Sequence, residues 1–293
     1  MSKKVVILGG GVIGLFSAYY LSKAGHNVTI LDKQKLGASS TGNAGMIVPS
    51  HVIPLAAPGM ISKGVRWMFN SKSPFYVKPR LSPDLFSWGW KFYRSANQNH
   101  VDNSTKALRD TSLLSKKLYQ ELSHATNNFE YDEKGLLMLF QSEKVGHEER
   151  EAAKVAMDLG LEVDILDQTS LAALNYGPKI NASGAVWYKS DAHLQPNKLM
   201  AFLRSELENM DIKFVEESKC QSIETGNGRV IKVITEDQSF EADEFVIAAG
   251  AWSKELVRLV GESIKLLPGK GYSFTIPKMD NALSIPTILC EGK

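Results

Sequence analysis

The chain has 293 residues, with 34 Lys plus Arg against 32 Asp plus Glu, 43% hydrophobic and 23% charged residues. That length can bury the core of one large or two interleaved domains, and the composition is that of an ordinary globular protein with no disordered tail. A net charge of +2 implies no nucleic-acid partner. The two cysteines, Cys220 and Cys290, have neither the number nor the spacing of a disulfide framework or a metal site, and they suit a reduced, cytoplasmic setting.

Lys3 and Lys4 precede a charge-free stretch over residues 5–21 that has the outline of a signal peptide or membrane span. Seventeen residues barely reach the length that crosses a bilayer, however, and Gly9, Gly10, Gly11 and Gly14 crowd its first half. Residues 5–8 form an apolar run of the kind buried on both faces of a parallel sheet. Gly9, Gly11 and Gly14 then make G-x-G-x-x-G, with Gly10, Val12 and Ile13 between them. The first glycine permits a tight turn, the second lets a pyrophosphate approach the backbone, and the third allows close helix packing. Ile13, Phe16 and Tyr20 recur at helical spacing, and Gly25 is placed to end that helix in a left-handed cap. A second strand over 28–31 leads to Asp32 and Lys33, with Asp32 lying 23 positions beyond Gly9. A carboxylate there can accept hydrogen bonds from ribose hydroxyls, while the helix N-terminus favours the pyrophosphate. The order strand, glycines, helix, strand, acid predicts a dinucleotide-binding Rossmann unit. A glycine-rich turn with a merely solvated Asp32 explains the spacing poorly.

Residues 35–49, KLGASSTGNAGMIVP, are small and flexible enough to bring backbone amides close to a ligand. His51 follows this loop, and neither it nor His193 has a metal-ligand partner at useful spacing. His51 is a candidate to approach an active site; His193, in the helix-entry turn SDAHLQP, reads as structural. Residues 60–96 mix Trp67, Phe69, Phe75, Tyr76, Trp88, Trp90, Phe92 and Tyr93 with seven basic residues, which suits a helical layer of the core or a membrane interface. Residues 101–125 predict a long amphipathic helix through Leu108, Leu113, Leu114 and Leu118; 135–140 predict a strand; 196–210 predict a helix leading to a strand at 212–215.

The loop 35–49 resembles that of the glycine and D-amino-acid oxidase family of FAD-dependent oxidoreductases. On that resemblance Ser39, Ser40, Asn43, Ala44, Gly45 and Met46 would line the ribityl chain and flavin. Residues 240–253, FEADEFVIAAGAWS, resemble the same family's second FAD contact, in which 245–248 return as a strand to the Rossmann sheet and Ala249, Gly250 and Trp252 turn beneath the cofactor. Cys220 falls where that family commonly holds adenine through its main chain, although a small buried cysteine is an equal reading. The stretch 43–69, NAGMIVPSHVIPLAAPGMISKGVRWMF, with PGKGYS at 268–273, resembles the small-subunit type of D-amino-acid dehydrogenase within the family.

The resemblance implies an α/β chain in which a Rossmann-type FAD-binding domain, 1–60 and 190–262, is interleaved with an α+β substrate domain, 61–189 and 263–293. It implies oxidation of the amine-bearing carbon of an amino acid or secondary amine to an imine, with electrons passed to a quinone or carrier protein and a peripheral contact with the inner face of the membrane. No obligatory protein base is implied, because the substrate amine can lose its proton to solvent. Relatives continue for roughly a further third of their length, where they supply the arginine that pairs with the substrate carboxylate. The expectation is therefore that the chain ending at Lys293 binds FAD weakly and turns over little. An NAD-linked dehydrogenase leaves SSTGNAG and AAGAWS unexplained, and a partial relative kept as a binding module stays open.

Overall fold

A computed structural model describes residues 1–37, 39–68, 80–174, 176–178, 180–274, 276, 280 and 282–292. The chain divides into two compact units, Met1–Ala44 with Gln195–Ser273 and Gly45–Leu194 with Phe274–Lys293. These changes at 44/45, 194/195 and 273/274 differ from the expected 60/61, 189/190 and 262/263. Backbone pairing accounts for the first two, since Met46–Ile47 runs antiparallel to Ala192–His193 and the amide of Leu194 donates to the carbonyl of Gly45 at 2.9 Å. His193 thus sits in a short strand just ahead of the helix-entry turn.

The first unit is built on a four-stranded, all-parallel sheet in the order Glu244–Ile247, Lys4–Leu8, Asn27–Leu31, Lys213–Val215. Val5, Val6, Ile7 and Leu8 are all buried, as a central strand covered on both faces requires. The helix Val12–Lys23 packs beside Pro196–Asn209. It ends as expected at Gly25, with φ +84°: His26 N–H donates to Leu21 at 3.1 Å and Gly25 N–H to Ser22 at 2.8 Å, the paired bonds of a Schellman motif. Three antiparallel strands, Ser222–Gly226, Arg229–Ile234 and Ser239–Glu241, add a meander whose first turn is Asn227-Gly228, both at positive φ, the geometry that matches strand twist.

The second unit carries a mixed sheet in the order Thr287–Leu289, Leu136–Phe140, Gly184–Tyr188, Val163–Asp167. Every residue of Leu136–Phe140 is buried. Alternate side chains serve the two faces: Leu136, Met138 and Phe140 pack with Ala153 and Ala156 of the helix Glu143–Asp158, while Leu137 and Leu139 pack with Leu171, Tyr176 and Ile285. The long helix spans Gln98–Ala125, starting ahead of the expected position because Asn97 caps it through His100 N–H at 3.0 Å. Its buried positions are Thr105 and Leu122, whereas the expected leucine stripe stands 36–56% exposed.

The aromatic stretch forms the helices Met60–Met68 and Pro83–Ser95. The expectation of a core layer fails for the second, which has no buried residue and exposes Phe86, Trp90 and Tyr93 by 63%, 62% and 59%. Together the two helices line an apolar groove of about 800 Å³. Phe69, Phe75 and Tyr76 lie outside the described residues. Among the described residues no helix is long and apolar enough to cross a membrane.

Candidate cofactor cleft

Three parallel strands of the first unit, ending at Leu8, Leu31 and Ile247, stop together, and a cleft of about 1160 Å³ opens beyond their carboxyl ends. This is where open α/β sheets take ligands, and the volume lies above the roughly 300–1,000 Å³ of ordinary small-molecule pockets. Gly9 crosses between the strand ends with φ +117°; its amide donates to Leu31 at 2.8 Å, and the amide of Ala248 donates to Leu8 at 2.8 Å. A Cβ on Gly9 would lie 2.4 Å from the carbonyl oxygen of Ala248, and one on Gly14 would lie 1.8 Å from that of Gly9. The helix Val12–Lys23 can therefore begin directly against the strand end only because both positions lack a side chain.

That helix has no cap from its own N-cap residue, Gly11. Ser40 Oγ accepts from the Val12 amide at 2.9 Å instead, leaving its hydroxyl proton to be directed at an anion at the helix N-terminus, where dipole and amides favour negative charge. Asp32 is held on both oxygens: Oδ2 accepts from Gly10 N–H at 2.6 Å and Oδ1 from Gln34 N–H at 2.8 Å. A carboxylate has about four lone-pair sites, so two remain for hydroxyl donors. Ser218 N–H donates to the Asp32 carbonyl at 2.8 Å, bringing residues 218–221 alongside. Lys33 Nζ lies 3.8 Å from the ring centroid of Trp252, which joins the two expected contacts across the cleft. Burial pushes the Cys220 thiol up, keeping it protonated and unreactive at neutral pH.

The loop between Asp32 and Ser40 is anchored from behind. Leu36 N–H donates to Glu216 Oε1 at 2.8 Å, and Arg204 reaches the same carboxylate at 3.1 and 3.3 Å. The Leu36 amide, with Arg204, holds Glu216 below the usual carboxylate range. These residues gather an anion-accepting helix N-terminus, a ribose-type acceptor and an aromatic wall in one cleft, so the chemistry of the donor set fits a pyrophosphate-bridged dinucleotide.

Of the residues expected at the cofactor, Gly9, Gly11, Val12, Ile13, Asp32, Lys33, Ser39, Ser40, Cys220, Ala249, Gly250 and Trp252 line this cleft. Gly10 and Gly14 stand behind it and shape the turn. Asn43 and Ala44 belong to the same unit without lining the cleft, and Gly45 and Met46 belong to the second unit. The cleft also takes in Gly37, Lys219, Gln221, Gly269, Lys270 and Gly271, which the sequence reading did not assign to it. The PGKGYS stretch was a visible signal for the last three, but nothing in a linear reading brings residue 270 to the end of strand Lys4–Leu8.

In the second unit His51 Nδ1 lies 3.1 Å from Ser50 Oγ, and Ser50 binds Asp191, whose carboxyl burial raises to about 6 against the opposing pull of the Ser50 hydrogen bonds and Lys116. Burial also lowers the His193 pKa, and its Nδ1 is buried without a hydrogen-bond partner among the described residues.

Residues 4–291 match the family described as FAD dependent oxidoreductase. The chain belongs to that family. It is 31% identical over 280 residues to a D-amino acid dehydrogenase of Vibrio atlanticus (strain LGP32), covering 94% of this chain and 67% of that one. Among solved structures it is similar to glycine oxidase from Bacillus cereus, with a TM-score of 0.60 at 20% identity over 88% of this chain and 58% of the other. It is also similar to L-alpha-glycerophosphate oxidase from Mycoplasma pneumoniae, solved with FAD bound, with a TM-score of 0.57 at 16% identity, covering 88% and 57%. The chain thus spans about two thirds of the dehydrogenase and well under two thirds of the two solved oxidases. The α/β architecture is that of these FAD oxidoreductases, and FAD is the cofactor of the family.

Proposed function

We propose that the cleft of the first unit holds FAD and that the chain serves the oxidation of the amine-bearing carbon of a D-amino acid or related amine to an imine, which water hydrolyses to a keto acid and ammonia. The observation that carries this reading is the joint placement of Asp32, the glycine turn and Ser40 at the carboxyl ends of the parallel strands. The D-amino acid dehydrogenase relatives support the substrate class. In this reading Asp32 binds the adenosine ribose, Gly9, Gly10, Gly11, Val12, Ile13, Gly14 and Ser40 form the pyrophosphate seat, and Lys33 with Trp252 and the main chain at Cys220 flank the adenosine half. Ser39, Asn43, Ala44, Ala249 and Gly250 are assigned to the ribityl and flavin portion. Bound FAD supplies a two-electron acceptor; the protein supplies orientation and a polar surrounding. The first unit corresponds to the FAD-binding domain and the second to the substrate domain.

Replacing Asp32 with alanine is expected to weaken flavin retention by about 1 to 3 kcal/mol, the loss of charge-assisted hydrogen bonds. Titration of the purified apoprotein with FAD checks this, with circular dichroism to show that the fold survives; equal affinity in Asp32→Ala removes the ribose assignment.

We further propose that electrons leave to a quinone or carrier protein rather than to oxygen, and that the exposed Phe86, Trp90 and Tyr93, with Lys91 and Arg94, of Pro83–Ser95 make a peripheral contact with a membrane. With D-alanine or D-proline, whatever turnover the chain supports should reduce a dye faster than it consumes oxygen. Rapid stoichiometric peroxide release would place the chain with the oxidases.

A further inference from the structure

Leu36 and Gly37 of the first unit lie directly on the glycine turn. Gly37 N–H donates to the Gly10 carbonyl at 2.9 Å, and a Cβ on Gly10 would collide with Leu36 Cδ2. Gly37, at φ +81°, opens a tight turn in which the amides of Ser40 and Thr41 donate to its carbonyl at 2.9 and 3.1 Å. The place of Ser40 Oγ, 2.9 Å from the Val12 nitrogen, therefore follows from where Leu36 and Gly37 sit. Both are supported from the side away from the cleft. Glu216, one residue beyond strand Lys213–Val215, accepts the Leu36 amide on Oε1 at 2.8 Å. Arg204, on the helix Pro196–Asn209, reaches Oε1 at 3.1 Å and Oε2 at 3.3 Å, and its Nε donates to Glu208 at 2.9 Å. Met200, one turn earlier on that helix, packs under Gly37, where a Cβ would lie 3.0 Å from its Cε. Glu216, Arg204 and Met200 do not line the cleft. The Leu36 amide is part-buried, so without its acceptor it reaches water only if the segment shifts.

We propose that Glu216 is a positioning residue for the cofactor: through the Leu36 amide it fixes the segment between Asp32 and Ser40, and so sets the affinity for ribose and pyrophosphate without touching either. What the segment takes from Glu216 is a hydrogen-bond acceptor at Oε1, and Arg204 fixes the direction in which that acceptor points. An acceptor of the same shape without the charge therefore suffices. The effect on affinity rests on the FAD reading above; the hold on the Leu36 amide does not.

The test compares the 293-residue wild type with Glu216→Gln and Glu216→Ala, titrating each apoprotein with FAD and, separately, with ADP, which carries the ribose and pyrophosphate but no flavin. Amide hydrogen exchange, resolved by residue, is followed in the ligand-free proteins. Glu216→Gln should bind both ligands within about threefold of the wild type, because its side-chain oxygen still accepts from Leu36. Glu216→Ala should weaken FAD and ADP alike by about tenfold, the scale of one hydrogen bond to a charged group. It should also speed exchange at Leu36 and Gly37 by about tenfold while Val5 to Leu8 keep their wild-type rates. Wild-type ADP affinity in Glu216→Ala, a loss for FAD alone, or a loss in Glu216→Gln as large as in Glu216→Ala overturns the proposal. Exchange accelerated equally at Val5 to Leu8 overturns it too, since that is a general loss of stability. Absence of FAD and ADP binding in the wild type overturns the cofactor reading and this role of Glu216 with it, while exchange at Leu36 decides the hold on the amide by itself.

Discussion

Gly14→Ala is expected to abolish flavin retention and to destabilise the first unit by about 3 kcal/mol, the scale of overpacking combined with backbone strain. The added Cβ would meet the Gly9 carbonyl oxygen at 1.8 Å, and that oxygen cannot retreat. Gly9 is pinned by the hydrogen bond its N–H donates to the Leu31 carbonyl, and its own Cα faces the backbone of Ala248 and Ala249. The helix Val12–Lys23 would have to withdraw from the strand end, carrying the Val12 amide away from Ser40 Oγ and dismantling the anion pocket. A neighbouring glycine provides the contrast. Gly25→Ala meets no atom within 4 Å and costs only the positive φ of +84°, about 1 kcal/mol, with flavin binding intact. Urea unfolding and flavin-to-protein ratios for the pair check both statements, and equal behaviour of the two variants would show that the turn tolerates displacement.

Asp191→Asn is expected to alter the pH dependence of stability in a definite direction. Burial raises the Asp191 carboxyl to about 6 in the folded chain from an ordinary value near 3.8. The folded state therefore holds this proton more tightly than the unfolded state, so the contribution of the group is most favourable below the unfolded value and is lost as pH rises through the folded one. Between pH 4 and pH 7 the wild type should lose about 2 kcal/mol relative to Asp191→Asn, somewhat less than the full shift at 1.36 kcal/mol per unit because the unfolded carboxyl is already about half ionised at pH 4. Carboxylates held low, such as Glu216 by the Leu36 amide and Arg204, run in the opposite sense, losing stability as pH falls, but they titrate alike in both proteins and cancel in the comparison. Parallel urea midpoints at pH 4, 5, 6 and 7 would show that the carboxyl is not perturbed.

Much of the first unit was legible because its signals are local. A strand buried on both faces must be uninterrupted apolar residues, and Val5 to Leu8 are; a turn between strand and helix needs positions without Cβ, and Gly9 and Gly14 supply them; an acid at the end of the next strand meets the glycine turn only at a narrow spacing, and Asp32, which accepts from the Gly10 amide, has it. Periodicity likewise located Leu136–Phe140 and Pro196–Asn209, since burial on a face repeats along the chain. Burial that depends on what packs opposite was not legible: Leu108, Leu113, Leu114 and Leu118 of Gln98–Ala125 and Phe86, Trp90 and Tyr93 of Pro83–Ser95 have the pattern of a core face, yet they stand exposed. The unit boundaries were set by the pairing of Met46–Ile47 with Ala192–His193, partners about 146 residues apart that no linear pattern links. The same pairing sets Ser50 beside Asp191. The sequence alone determined that this chain carries a dinucleotide cleft and the FAD oxidoreductase motifs, because those depend on short-range steric and hydrogen-bonding rules. Only the tertiary structure brought Gly269, Lys270 and Gly271 to the cleft and joined Asp191, Ser50 and His51, because contacts between distant segments follow from packing and not from spacing.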